Sequence, residues 1–454
     1  MFGTTEMLIL VAVLLALVFS GVHIAVSLGA AAMLGIYLMT GDMTVVTSFV
    51  GSTAYEAIRD YVFAVIPLFM LMGEFLAKCG AARDMFALIN RVTRVVPGRL
   101  AVATVLSNAV FAFVTGVSIA AAAAFSKIAY PEMKRHGYEQ RFALGCIAGS
   151  ACLGMLIPPS VLMIVWAVLT ELSIGDLFLA GILPGFLLVA LYIIYILGVS
   201  IACPEVVGEI RKKVAAHKAT ADTPTTASGG DAPELGFAML STLLVMALVA
   251  GTLGGIWFGF FTPTEGAGVG AAAALVLAVA KGLRARQVTE VVMSVGCTLA
   301  PLLLLLVTAQ LYSRVLTMTG FTRAAQEMLL GSGLGPAGIL VLMVLVWFVL
   351  GCIIDSISIL LLTVPIFVPI AMAVGYDPLA FAIIGIIAVE TGLLTPPFGL
   401  LAFTVKAALP NENFRVGQVF AGSVPYWIAL LLCITGLAMF PEIATYLPKL
   451  MKAQ

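Results

Sequence analysis

The sequence of 454 residues is 62% hydrophobic and only 10% charged, and its formal net charge is zero. Such a composition excludes an ordinary soluble domain, argues against nucleic acid as a partner, and predicts an all-α protein embedded in the lipid bilayer. The seven cysteines form neither a C-x-x-C pair nor a Cys/His cluster, so neither a zinc site nor a disulfide framework is expected.

Long stretches without Asp, Glu, Lys or Arg recur along the whole chain. Each has at least the roughly 20 residues that a helix needs to cross the hydrocarbon core. The first of them has no basic segment before it and no convincing cleavage site, so it is interpreted as a retained span. The charge-free stretches are 7–41, 142–170, 177–204, 235–264, 291–313 and 416–441.

Lysine and arginine concentrate in five segments of the chain. Loops on the cytoplasmic side of a membrane accumulate these residues, so all five segments are predicted to be cytoplasmic. Counting the spans between them then places both chain termini on the outer side. The basic segments are 78–99, 127–141, 204–234, 281–290 and 406–415.

The segment between the first two basic clusters is predicted to enter the membrane and return as a re-entrant helical hairpin, at about 99–130. Its polar tip is Thr115-Gly116-Val117-Ser118. Arms of about 15 residues give about 22 Å of helix, too little for a hydrocarbon core of about 30 Å. The alternative, a single tilted span of about 27 residues, would leave a basic cluster on the outer side.

An internal repeat appears at an offset of 238 residues, which pairs Ser118 with Ser356 and Pro158-Pro159 with Pro396-Pro397. Glycine and proline recur where the backbone needs special geometry, which indicates duplication. Each half has an odd number of crossings, so the second copy is predicted to be inverted in the membrane. The prediction is a first repeat at 1–205, a cytoplasmic linker at 206–234, and a second repeat at 235–454 with a hairpin at about 336–373. Together the halves provide about ten spans and two hairpins.

The two Pro-Pro pairs lie in the middle of apolar segments and are expected to break their helices. Proline has no N–H, so Pro158-Pro159 frees the carbonyls of Gly154 and Met155, and Pro396-Pro397 frees those of Gly392 and Leu393. Free carbonyls at membrane depth are ligands that Na⁺ uses, and the hairpin tips add further oxygen atoms. Two related cation sites are therefore predicted. The alternative is a pair of proline kinks satisfied by neighbouring Ser and Thr side chains.

Ionisable residues inside spans are candidates for function because their burial is unfavourable. Asp355 lies at the second tip, where it could complete a cation site or accept a hydrogen bond from a substrate hydroxyl. Arg314 could pair with a substrate carboxylate, or it could simply extend towards the membrane surface. Less specific candidates are His23, Glu74, Asn108, Glu265 and Glu390.

Several motifs together resemble the large membrane subunit of tripartite ATP-independent periplasmic (TRAP) transporters, the DctM-like family. They are Leu350-Gly-Cys-Ile-Ile-Asp-Ser-Ile-Ser358, Val389-Glu-Thr-Gly-Leu-Leu-Thr-Pro-Pro397, Ile157-Pro-Pro-Ser160 with Gly149-Ser150, and Ala180-Gly-Ile-Leu-Pro184.

The resemblance implies a Na⁺-driven importer of an organic acid, such as a C4-dicarboxylate or a sialic acid, in the bacterial inner membrane. It implies two partners, a periplasmic substrate-binding protein and a small four-span membrane subunit, the latter expected as a separate chain. It also implies an elevator-type architecture in which the hairpins and broken helices move against a scaffold. Na⁺ is the expected coupling ion, and no other cofactor is expected.

The candidate site combines the derivation from the residues with the resemblance. The first tip has fewer Ser and Gly residues than the Ser-Gly-Ser type that is common in the family, so backbone carbonyls are the expected ligands there. The predicted substrate contacts are Arg314, Asp355 and Ser356. The predicted cation-site residues are Gly116, Ser118, Gly154, Pro158, Ser356, Ser358, Gly392, Thr395 and Pro396.

Two other functions are alternatives. A stand-alone dicarboxylate or citrate symporter of related architecture would need no binding protein, and only the family motifs argue against it. A membrane-embedded enzyme such as an intramembrane protease would need a catalytic pair, a G-x-G-D or an H-E-x-x-H motif, and the sequence has none. A Walker-type nucleotide motif is also absent, so any transport is expected to be driven by a gradient.

Overall fold

The computed structural model describes residues 4–59, 61–208 and 235–452. The regular structure of these residues is helical, which confirms the predicted all-α class for this part of the chain. The predicted linker lies outside the described residues from 209 onward.

The first helices follow the charge-free start of the chain and end in the first basic segment. After α3, a short 3₁₀ turn at Tyr61–Ala64 leads into α4, and α4 and α5 meet at an angle of 64°. The helices are α1 (Thr4–Phe19), α2 (Ile24–Thr40), α3 (Met43–Arg59), α4 (Val65–Lys78) and α5 (Ala81–Val92).

The next group contains the first predicted hairpin and the first Pro-Pro pair. Gly116 ends α6 because it adopts a left-handed conformation at φ 61°, and Val117 is extended before α7 begins. The helices are α6 (Arg99–Thr115), α7 (Ser118–Arg135), α8 (Gln140–Ala151), α9 (Leu153–Leu156), α10 (Val161–Thr170) and α11 (Ile174–Ala202).

The second half begins with three apolar helices and a short amphipathic helix, and then repeats the pattern of hairpin and broken helix. The first four are α12 (Leu235–Trp257), α13 (Pro263–Ala280), α14 (Ala285–Thr319) and α15 (Phe321–Gly331). The others are α16 (Pro336–Gly351), α17 (Ser356–Ala373), α18 (Pro378–Leu393), α19 (Leu400–Ala408), α20 (Val416–Met439) and α21 (Glu442–Lys452).

Seven helical segments of the described residues are long and apolar enough to cross a membrane, one of them formed by α8, α9 and α10 together, or eight if α4 and α5 form one bent span. Other apolar helices, among them α2 and α18, are somewhat shorter than this criterion requires. The protein is therefore a multi-span membrane protein by the length and composition of its helices.

Packing divides the helices into two groups. In the first group, α2 packs on α14 and α4 packs on α13. In the second group, α8 packs on α20, α16 on α18, and the two hairpin arms α6 and α7 on each other. A Cβ at Gly145 would collide with the backbone of Gly422, so α8 and α20 cross at a distance that only glycine allows.

The helices α5 and α15 lie between the groups, and they are held differently. Asp84 of α5 forms a buried ion pair with Lys281, at the end of α13, and accepts a hydrogen bond of 2.6 Å from Ser241 of α12. By contrast, α15 has no buried residue, although it contacts α14 and α17.

Candidate functional site

The first hairpin tip lies directly against the first Pro-Pro break. A Cβ on Gly116 would collide with the Pro159 carbonyl oxygen, and a Cβ on Gly154 would lie 3.1 Å from the Ser118 Cα. The Gly116 carbonyl accepts a hydrogen bond of 3.2 Å from the Val161 N–H, at the start of α10. Glycine at both positions therefore brings the two interrupted backbones into contact.

Two of the four carbonyls predicted to be free have local donors. The Ser160 hydroxyl donates to the Met155 carbonyl at 2.5 Å. The Gly392 carbonyl accepts from the Thr395 N–H at 3.0 Å and from its hydroxyl at 2.8 Å. Neighbouring Ser and Thr side chains thus satisfy part of each break, as the kink alternative expected.

The second tip contacts the second break in a similar way. A Cβ on Gly351 would lie 2.8 Å from the Gly392 Cα, so α16 and α18 meet through two glycines. Next to them, the Cys352 Sγ lies 2.9 Å from the Thr395 Oγ1. Each half of the chain therefore places its hairpin tip beside its own broken helix.

Asp355 is used within the second tip as the N-cap of α17. One carboxylate oxygen accepts a hydrogen bond of 3.0 Å from the Ser358 N–H, and the other accepts one of 2.5 Å from the Ser358 hydroxyl. This is the usual role of aspartate at a helix start, where backbone N–H groups lack partners. Asp355 therefore fixes the shape of the tip, and it is only partly buried.

Glu390 of α18 lies between the two tips, and it is not among the site residues predicted from the sequence. Its carboxylate accepts a hydrogen bond of 3.2 Å from the Ser356 hydroxyl, and the Ser118 hydroxyl lies close by. The Cys152 Sγ lies 3.8 Å from the main-chain carbonyl oxygen of Glu390. In the sequence, the signal for a role of Glu390 is that it is an isolated acid within an apolar segment. Its closeness to both tips is a property of the fold and is not visible in the sequence.

Arg314 makes its hydrogen bonds with other residues, on α3. Its guanidinium donates to Glu56 at 2.5 Å and to Thr53 at 3.1 Å, both on α3. The Arg314 side chain is 44% exposed. Among the described residues, no hydrogen bond joins Arg314 to Asp355 or Ser356, so the structure does not bring the three predicted substrate contacts together.

The two breaks differ in exposure. Pro158 and Pro159 are buried, whereas Pro396 and Pro397 are exposed, and so is the Phe398 side chain at 59%. A cavity of about 510 Å³ reaches the second break, and its lining is mostly apolar and aromatic. Its lining includes Phe348, Thr395, Pro396, Phe420 and Trp427.

The atoms at the tips fit a hard monovalent cation. The Ser118 hydroxyl and one Glu390 oxygen are buried and have no hydrogen-bond partner among the described residues. Oxygen atoms of this kind are the ligands that hard cations prefer, whereas softer metals select thiolate or imidazole. No group of three His, Cys, Asp or Glu side chains suited to a metal occurs in the described ranges.

Comparison with known families gives a direct match. The model of the tripartite ATP-independent periplasmic transporter, DctM component, matches residues 11–443. The chain belongs to this family. It is thus a TRAP large permease, which confirms the resemblance carried by the motifs and makes the protein a transporter subunit rather than an enzyme.

Individual TRAP large permeases are similar over nearly their full length. The C4-dicarboxylate permease DctM of Pseudomonas aeruginosa is 33% identical, over 87% of this chain and 88% of that protein. The ectoine permease TeaC of Halomonas elongata is 28% identical, over 97% of this chain and 98% of that protein. The sialic acid permease SiaM of Vibrio cholerae is 27% identical, with 96% and 97% covered.

Two solved structures share the fold of this TRAP permease at low sequence identity. The YdaH transporter of Alcanivorax borkumensis has a TM-score of 0.57 at 14% identity, over 91% of this chain and 88% of that one. The MtrF efflux pump of Neisseria gonorrhoeae has a TM-score of 0.54 at 12% identity, over 89% and 85%. These similarities show the fold only.

Membership of the TRAP family also shows in which membrane the protein lies. The protein is a multi-pass inner-membrane protein, as its apolar helices require. Large permeases of this family work with a small membrane subunit and a periplasmic binding protein.

Proposed function

We propose that this permease imports an organic acid, delivered by a periplasmic binding protein, and that a Na⁺ gradient drives the import. The observation that supports this most directly is the meeting of two hairpin tips and two broken helices around buried oxygen atoms that have no hydrogen-bond partner among the described residues. Interrupted helices at membrane depth are a common way to bind ions in secondary transporters.

The proposed substrate is a carboxylate. Among the relatives reported above are permeases named for C4-dicarboxylates and for sialic acid, and both substrates are acids. At the second tip, Ser356 and Asp355 are the proposed contacts for its polar groups. Arg314 would contact the substrate carboxylate only in a state in which Glu56 releases it, because Glu56 holds the guanidinium here.

The proposed cation sites lie one in each half, with Na⁺ as the coupling ion. The first would use oxygen atoms near Gly116, Ser118, Gly154 and Pro158. The second would use Ser356, Ser358, Gly392, Thr395 and Pro396. The role of the chain in both is to hold the oxygen atoms in place and to keep water out.

The proposed architecture is an inverted repeat that works as an elevator, with both termini on the periplasmic side. Supporting it, α2 and α13 contain the Gly-Ala-Ala-Ala sequences at 29–32 and 270–273, and each packs on a helix of the other half. Likewise, α8 packs on α20 and α18 packs on α11. Such exchanged pairs are expected when two halves are related by a pseudo-two-fold axis.

Reconstituted uptake tests the proposal. The permease and its small subunit are placed in proteoliposomes, and uptake of labelled C4-dicarboxylate or sialic acid is measured with and without binding protein and an inward Na⁺ gradient. Uptake is expected only when both are present. Uptake without binding protein would favour the stand-alone symporter, and uptake that ignores Na⁺ would contradict the proposed coupling.

A further inference from the structure

Glu390 is a carboxylate buried where residues from both halves of the chain meet. The residue is 1% exposed. One oxygen, Oε1, accepts the hydrogen bond from the Ser356 hydroxyl, while Oε2 has no hydrogen-bond partner among the described residues. A carboxylate this deep needs a compensating group, because its charge has lost its water.

The Ser118 hydroxyl lies beside the same carboxylate. Ser118 is completely buried, and its oxygen makes no hydrogen bond of normal geometry within the described ranges. It is nevertheless close enough to Glu390 to interact with it electrostatically. Two unpartnered polar atoms, one from the first tip and one from α18, therefore share one small buried region.

Among the described residues, no positively charged side chain pairs with Glu390. The side chains that interact with its carboxylate are the hydroxyls of Ser118 and Ser356 and the thiol of Cys152. None of the ion pairs formed by the described residues includes Glu390. A bound cation would stabilise an ionised carboxylate in such a place, because it would replace the water that the charge has lost.

We propose that Glu390 Oε2, Ser118 Oγ and Ser356 Oγ form a binding site for a monovalent cation that the two hairpin tips share. One carboxylate balances one positive charge, and the hydroxyl oxygens complete a set of hard ligands. The other carboxylate near the second tip, Asp355, already uses both oxygens on Ser358. Glu390 is therefore the charged ligand, and the bound ion holds both tips against α18.

This inference rests on the proposed Na⁺ coupling and adds a charged residue to it. The site takes one oxygen from the first half of the chain and two from the second. An ion bound here therefore links the two proposed cation sites, and Na⁺ binding at one tip should depend on the other tip.

Thermal unfolding of the purified complex with its small subunit tests the site without measuring transport. The melting temperature is followed in detergent against Na⁺ concentration, with choline chloride keeping the ionic strength constant. Na⁺ is expected to stabilise the wild type. Glu390→Gln, which has the shape of the neutral acid, is expected to raise the half-saturating Na⁺ concentration at least ten-fold. Ser118→Ala and Ser356→Ala are expected to raise it by smaller factors.

The control is Glu412→Gln. Glu412 forms an ion pair with Lys134 at 2.7 Å and makes no contact with the tips among its hydrogen bonds in the described residues. Its loss is expected to leave the half-saturating Na⁺ concentration within two-fold of the wild type.

The outcomes separate this inference from the proposed function. A wild-type Na⁺ response in Glu390→Gln would overturn the shared site, because Na⁺ binding would then need no carboxylate at this position. It would leave the proposed Na⁺ coupling intact. A wild type that Na⁺ does not stabilise would overturn the coupling itself. If Glu390→Gln fails to fold, the Ser118→Ala variant tests the site instead, since it keeps the carboxylate. An unchanged half-saturating Na⁺ concentration in Ser118→Ala would then overturn the site.

Discussion

The carboxylate of Asp84 and the ammonium of Lys281 form an ion pair in which both side chains are less than one-tenth exposed. The pair joins α5 to the end of α13, and the Ser241 hydroxyl donates to the same Asp84 oxygen. Buried pairs of this kind are unfavourable to break, because the remaining charge keeps the cost of its lost hydration and loses the attraction of the opposite charge.

Asp84→Ala and Lys281→Ala are each expected to lower the free energy of unfolding by about 3–5 kcal/mol, because each breaks an ion pair between two buried side chains. The double variant is expected to lose less than the sum of the two. Lys78→Ala is the control, since its pair with Glu290 is about half exposed and is worth about 0–1 kcal/mol. The measurement is urea-dependent or thermal unfolding in detergent, and additive losses would contradict the coupling.

Gly145→Ala is expected to destabilise the second group of helices by about 1–3 kcal/mol, because the new methyl would collide with the Gly422 backbone. Gly198→Ala on α11 is the matched control. No atom of the described residues outside the local helix lies within 4 Å of the added methyl there, so the change should be neutral or slightly stabilising. Melting temperatures of the two variants measure the difference, and equal values would mean that α8 and α20 can move apart freely.

Asp355→Ala is expected to abolish uptake in proteoliposomes while the complex with the small subunit still assembles. Asp377→Ala is the matched control, because Asp377 also caps a helix, α18, through hydrogen bonds of 2.9 and 3.1 Å from Leu379 and Ala380. Each substitution removes a cap worth about 1 kcal/mol, but only Asp355 lies at a tip. Equal uptake by the two variants would remove Asp355 from the transport site.

The orientation of the chain is open to a direct test with reporter fusions. Alkaline phosphatase is active only in the periplasm, so a fusion after residue 454 is expected to be active. A fusion within the basic segment 281–290 is expected to be inactive, because that loop is predicted to be cytoplasmic. Green fluorescent protein at the same points should give the opposite pattern, and activity at both points would contradict the predicted topology.

The points where helices break can be predicted from the sequence, because they depend on the chemistry of single residues. Proline lacks an N–H, and α9 gives way to an irregular stretch at Pro158-Pro159. Gly116 takes the left-handed conformation that ends α6. Family membership is predictable for a similar reason, since its motifs are contiguous.

The partners of charged side chains cannot be predicted in the same way. Glu390 contacts Ser356, 34 residues away, and Arg314 contacts Glu56, 258 residues away. Nothing in the local sequence reveals these partners, because the environment of each charged side chain exists only after the helices pack. The sequence alone therefore favours Arg314 over Glu390, whereas the structure places Glu390, not Arg314, next to Ser356.

The unequal attachment of α5 and α15 has a mechanical consequence. A displacement of the second helix group as a rigid body would strain its contacts through α5 and through α15 to different degrees. The buried ion pair anchors α5 to the first group, so this end can act only as a pivot. The other end, α15, has no buried residue and can tilt with little loss of packing. The motion would then be a rotation about α5, with its greatest travel at α15.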